Sequence, residues 1–92
     1  MRFEWARDKA RRNLSKHKVS FDEAVTVFYD PLAATFDDTG HSGHEQRFIT
    51  IGYSSARHLL VVSHTERGDD IRIISARLAN AHERKRHEEQ AT

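Results

Sequence analysis

The chain has 92 residues, 32% of them charged, a formal net charge of +1 and no cysteine. That length allows one domain, residues 1–92, with one modest core, and the missing cysteines exclude a disulfide framework and a thiolate metal site. No apolar run approaches the roughly 20 residues that span a bilayer and no signal peptide opens the chain, so the expectation is a cytoplasmic protein without membrane contact.

The first helix is predicted from Ala6 to about His17, with Trp5, Ala6, Ala10, Asn13, Leu14 and His17 on one face. Ser20-Phe21-Asp22-Glu23 fits a capping box that opens a second helix, and Phe21, Ala24, Val25 and Phe28 form its apolar stripe. Asp30-Pro31 ends it, because the residue before proline avoids the helical region. Leu32–Asp37 reads as a short strand and residues 39–44 as a polar loop. Three strands follow, at about Arg47–Tyr53, His58–Thr65 and Ile71–Arg77, with connections short enough for an antiparallel meander. Asn80-Ala81-His82-Glu83 is a second capping box, starting a last helix to about Glu89. The expected fold is α+β: two N-terminal helices, a twisted antiparallel sheet of about four strands, and a C-terminal helix, with the helices on one face.

The net charge hides a segregation. Residues 1–18 hold seven basic and two acidic side chains, residues 19–46 six acids and no Lys or Arg, and residues 47–92 eight basic and six acidic groups. A basic surface beside an acidic segment attracts polyanions, although each charge run also reads as a solvated face.

The run Arg72-Ile73-Ile74-Ser75-Ala76-Arg77 interrupts a buried strand with two guanidinium groups. An arginine on a strand reaches solvent, pairs with a carboxylate, or lines a site for an anion. If Ser54–Arg57 and Arg67–Asp69 are the hairpin loops, Ile51 faces Leu60, Arg47 faces His64, and His64 faces Arg72. Ile49, Ile51, Leu60, Val62 and Ile74 then form a core face that ends in Arg47, His64, Glu66 and Arg72. The same register puts Arg77 on the opposite face from Arg72 unless the strand bends or bulges.

Such a cluster suits RNA cleavage without a metal. A base takes the proton of the ribose 2′-OH, whose oxygen attacks phosphorus. Cations stabilise the phosphorane, and an acid protonates the leaving 5′-oxygen. Arginine forks onto phosphate and histidine titrates near neutrality. Arg72, Arg77, Arg47 and Lys16 are candidates to hold the phosphate, with Ser75 as a hydroxyl donor. His64 or His17 is the candidate for proton transfer, and Glu66 its orienting partner or an alternative base. Plainer readings stand beside these: Arg47 and Arg72 as cross-strand ion pairs, His64 as a satisfied core histidine, and Trp5 as a core anchor. His41-x-x-His44 reads as exposed, and no metal or other cofactor is expected.

The segments Phe3-Glu4-Trp5, Asn13-Leu14-Ser15-Lys16-His17-Lys18-Val19-Ser20-Phe21-Asp22-Glu23-Ala24, Val27-Phe28-Tyr29-Asp30-Pro31-Leu32, Glu45-Gln46-Arg47-Phe48-Ile49-Thr50-Ile51-Gly52 and Ile71-Arg72-Ile73-Ile74-Ser75-Ala76-Arg77 together resemble the BrnT family of bacterial toxins. The resemblance implies a toxin of a type II toxin–antitoxin system with a RelE-like ribonuclease fold. It implies metal-independent RNA cleavage that inhibits translation and growth. Its implied partner is a DNA-binding, BrnA-like antitoxin, with toxin homodimers in a heterotetramer. The chain departs from the family pattern at Lys18, where glycine is usual, at Ala6-Arg7, where Asp-Pro is frequent, and at His87, where a tyrosine is frequent. The alternative is a non-catalytic module that binds RNA or protein.

Overall fold

The structure, a computed structural model, describes residues 1–40, 43 and 45–90. His41 and His44, singled out above, lie outside the described residues. In chain order the elements are β1 (Arg2–Glu4), α1 (Arg7–His17), α2 (Phe21–Thr26), a 3-10 turn (Val27–Tyr29), β2 (Ala34–Asp37), β3 (Arg47–Tyr53), β4 (Leu59–Arg67), β5 (Asp70–Leu78) and α3 (Ala81–Gln90). The sheet has five strands in the order β1-β5-β4-β3-β2, with β1 parallel to β5 and the other pairs antiparallel. None of the described helices is long and apolar enough to cross a membrane.

Local chemistry explains the helix ends. Lys18 closes α1 in the left-handed conformation (φ 61°), with its N–H donated to the Leu14 carbonyl. Glycine is the residue that adopts this conformation without strain. Ser20 Oγ accepts the Glu23 N–H at 3.0 Å, which is half of the expected capping box. The other half is diverted, because the Glu23 carboxylate reaches across to Ser54 Oγ (2.6 Å) and His58 Nδ1 (2.8 Å). At α3 the box is complete: Asn80 Oδ1 accepts the Glu23-equivalent amide of that helix, Glu83 N–H, at 2.8 Å, and Glu83 Oε1 accepts Asn80 N–H at 2.9 Å.

The core lies between α1, α2 and one face of the sheet. Val19, Phe21, Ala24, Val27, Leu60, Val62, Ile71, Ile73 and Ala76 are buried there, with Trp5 packed edge-on against Phe21. Leu14, expected on the inner face of α1, is half exposed, whereas Asn13 is buried. The Asn13 amide acts as a short substitute strand. Its Nδ2 donates to the carbonyls of Ala76 and Val19, and its Oδ1 accepts the Ala76 N–H. β1 pairs with only Asp70–Arg72, so Asn13 satisfies the edge of β5 beyond it. Gly52 admits the 3-10 turn and the segment after it, since a Cβ there would stand 3.0 Å from Val27 Cγ1 and 2.8 Å from Ala33 Cβ.

The fold departs from the expected layout in three ways. β1 precedes the helices and adds a fifth strand, making the sheet mixed rather than antiparallel. A three-residue parallel strand carries too little periodicity to be read alone. The hairpin loops are also different. The first spans five residues, 54–58, closed by Ser54 N–H to the His58 carbonyl, and the second only Gly68-Asp69. Each is one residue away from the length assumed, and a one-residue slip exchanges the faces of a strand. Ile49 and Ile51 therefore lie opposite Ser63 and Val61, on the face away from α1 and α2. Finally, α3 does not join the other helices. Glu83 meets Arg77, and His87 meets the Tyr53 ring at 6.0 Å, so α3 covers part of the opposite face.

Candidate functional site

Three cross-strand rows make up the sheet face away from α1 and α2. Register places Arg47 beside Thr65 and Thr65 beside Arg72. The next row is Phe36, Ile49, Ser63 and Ser75, and the third is Ala34, Ile51, Val61 and Arg77. Arg72 and Arg77 are five positions apart, so strict alternation would put them on opposite faces. The register shifts between Ser63 and His64: His64 pairs with Ile73 but Ser63 with Ser75, leaving Ile74 as a bulge. The extra residue restores Arg77 to the face of Arg72.

This face is grooved. Asp38, Arg47, Ser63, Ser75 and Arg77 line one depression of about 310 Å³. Lys9, Glu45, Arg47, Thr65 and Arg72 line a second of about 280 Å³. Arg47 belongs to both. Lys9 and Ile74 continue the second into a groove at the end of α1 that holds Arg12, Lys16 and His17. A basic track thus runs from Arg77 across the sheet and around the edge of β5.

The acids bordering the track hold some of its cations. Arg77 forks onto Glu83, with Nη1 to Oε1 at 2.8 Å and Nη2 to Oε2 at 2.9 Å. The hydrogen bonds from Arg77 hold the Glu83 carboxyl down at about 2, against the opposing effect of burial. Arg67 forks onto Glu45, whereas Arg72 approaches Glu4 only at 3.6 Å. Thr65, which register places between Arg47 and Arg72, is 2% exposed, and its Oγ1 is buried with no hydrogen-bond partner among the described residues.

Of the residues singled out in the sequence, Arg47, Arg72, Ser75 and Arg77 share this face, and Lys16 and His17 lie around its edge. His64 does not join them. It is fully buried on the helix side, between the rings of Phe28 and Phe48, with Nε2 at 2.8 Å from Thr50 Oγ1. Burial lowers its pKa to about 4. Glu66 is exposed near the end of β4 and lies on the same face of the strand as His64, opposite to the arginines. The expected Arg47–His64–Arg72 cluster is therefore replaced by Arg47–Thr65–Arg72, as the five-residue first loop and the two-residue second loop together require. Sequence reasoning passed over Thr65, Ser63, Phe36 and Lys9; knowing the true hairpin lengths would have brought the first two to this face, whereas Phe36 depends on the separate pairing of β2 with β3.

The class of protein follows from comparison with known families. The profile of the ribonuclease toxins, BrnT, of type II toxin–antitoxin systems matches residues 5–83. The chain belongs to that family. Its fold is similar to the crystal structure of the Brucella abortus ribonuclease toxin, BrnT, with a TM-score of 0.67 and 22% identity over 87% of this chain and 97% of that one. No curated protein matches the chain.

Proposed function

We propose that this protein is a metal-independent endoribonuclease whose phosphate site is the Arg47–Arg72–Arg77 face. The observation that carries this reading is the bulge at Ile74, which gathers Arg72, Ser75 and Arg77 on the same face as Arg47 and Thr65. Arg72 and Arg47 flank the phosphate, Thr65 and Ser75 offer hydroxyl donors, and Arg77 completes the cradle when RNA competes with Glu83. The ribose 2′-oxygen attacks the adjacent phosphorus while its proton passes to a base. The P–O5′ bond then breaks, and an acid protonates the departing 5′-oxygen, leaving a 2′,3′-cyclic phosphate. His17, at the edge of the track with Lys16, is the proton-transfer candidate that shares this surface. His64 and Glu66 take no direct part.

Family membership supports the biological setting: cleavage that inhibits translation and growth, neutralisation by a BrnA-like antitoxin, and toxin homodimers within a heterotetramer. The whole described chain acts as one domain in the cytoplasm.

The experiment is cleavage of a defined RNA by the purified protein in excess EDTA, with product ends analysed. Cleavage that resists chelation, leaves 2′,3′-cyclic phosphates and spares a 2′-deoxy substrate is expected. Cleavage of the 2′-deoxy strand, or its abolition by EDTA with rescue by a divalent ion, would contradict the reading. A folded protein that binds RNA without turnover would leave the non-catalytic alternative.

A further inference from the structure

Beyond the phosphate track, the same face holds a feature that the cleavage chemistry does not use. Where α3 crosses the sheet it leaves a groove of about 290 Å³, floored by Ile49, Ile51 and Val61 and walled by Phe36 on one side and by His82 and Arg86 of α3 on the other. Ile49, Val61 and Arg77 line both this groove and the phosphate depression, so the two open into one another. Phe36 remains 47% exposed on the outermost strand of the sheet, next to Ile49. Phe36 on β2 and Arg77 on β5 line opposite sides of this one groove, with β3 and β4 between them. An aromatic ring and an arginine that share a groove are used by single-stranded nucleic-acid surfaces, where a base stacks and the backbone is neutralised. The α3 wall supplies polar groups, among them His82, Arg86 and Gln90. His87, 5% exposed, keeps a buried Nε2 with no hydrogen-bond partner among the described residues.

We propose that the groove between Phe36 and α3 is a nucleobase subsite, which seats the unpaired RNA base next to the phosphate held by Arg77. The subsite rests on the ribonuclease reading for its ligand, but its test does not require turnover. The base lies over Ile49 and Val61 and stacks on Phe36, with Arg86 donating toward acceptors on its edge. The apolar floor accepts any base face, while the α3 wall makes cleavage sensitive to which base is present.

The test is a titration with a 2′-deoxy pentanucleotide, which lacks the attacking hydroxyl, against an abasic strand of the same length and charge. Binding is followed by NMR at the methyl groups of Ile51 and Val61. The base-bearing strand is expected to bind at least about tenfold more tightly than the abasic one. Phe36→Ala and Phe36→Leu are expected to remove most of that difference and to leave abasic binding unchanged. Equal affinity of the two strands, an unchanged difference in both variants, or no shift at Ile51 and Val61 would overturn the subsite and leave the groove to a protein partner. Base-dependent binding by a protein that cleaves no RNA would retain the subsite and reject the nuclease reading.

Discussion

His64 carries an ionisable ring in the most enclosed part of the molecule, and its surroundings admit only the neutral form at ordinary pH. Desolvation disfavours the imidazolium, and the partner at Nε2 is a neutral hydroxyl. Its pKa is about 4 when folded, against an ordinary imidazole value of 6.5. Between these values the unfolded chain binds more protons than the folded one, so stability is full above pH 6.5 and declines as pH falls toward 4. The loss approaches about 3 kcal/mol. Glu83 acts in a lower window: its folded pKa of about 2 lies below the ordinary carboxylate value of 4.5, so its contribution is complete above 4.5 and fades as pH falls toward 2. Denaturant unfolding of wild type and His64→Gln from pH 7 to 4.5 separates the two. The wild type is expected to lose stability steeply over that range and the variant much less. Parallel curves would show that His64 is not the group responsible. That a histidine three positions from Arg67, the basic end of β4, is a core group was one of the two readings open in the sequence, and only the strand register decides between them.

At the scale of elements, regular periodicity was readable and turn geometry was not. The Asn80 capping box and the bounds of β3 follow from local residue patterns, and both appear in the fold. The hairpin loop at 54–58 could not be read, because its length is set from outside. Glu23 of α2 binds Ser54 Oγ and His58, and Ser54 Oγ in turn accepts the N–H groups of Ala56 and His58. The bulge at Ile74 was equally hidden, since no residue there signals it; the conflict between Arg72 and Arg77 in a regular strand was its only trace. Lys18 is a case where local chemistry makes a quantitative statement. A left-handed lysine at the end of α1 is strained by about 1 kcal/mol relative to glycine. Lys18→Gly is expected to stabilise the protein by about 0.5–1 kcal/mol in urea unfolding, partly offset by the freer unfolded chain. A destabilised variant would mean that the lysine side chain holds more than the helix end.

For the molecule as a whole, charge segregation becomes a division of labour between faces. The α1 and α2 side is occupied by the core, while the opposite face keeps Arg47, Arg72 and Arg77 on adjoining grooves. Net charge gave no hint of this, because acids from the segment 19–46 and from α3 neutralise the sum without filling the track. The family resemblance and the α+β class were legible over most of the chain; which side chains share a face was not, because each assumed loop erred by one residue. The most direct measurement of the central claim is single-turnover RNA cleavage by Arg72→Ala beside wild type, with Arg84→Ala on the exposed side of α3 as the charge control. Arg72 has only a loose contact with Glu4, so its removal is expected to leave the melting temperature nearly unchanged. The expected result is a fall in cleavage of about 10²–10³-fold for Arg72→Ala and little change for Arg84→Ala. A folded Arg72→Ala protein that cleaves RNA at the wild-type rate would contradict a phosphate site on this face.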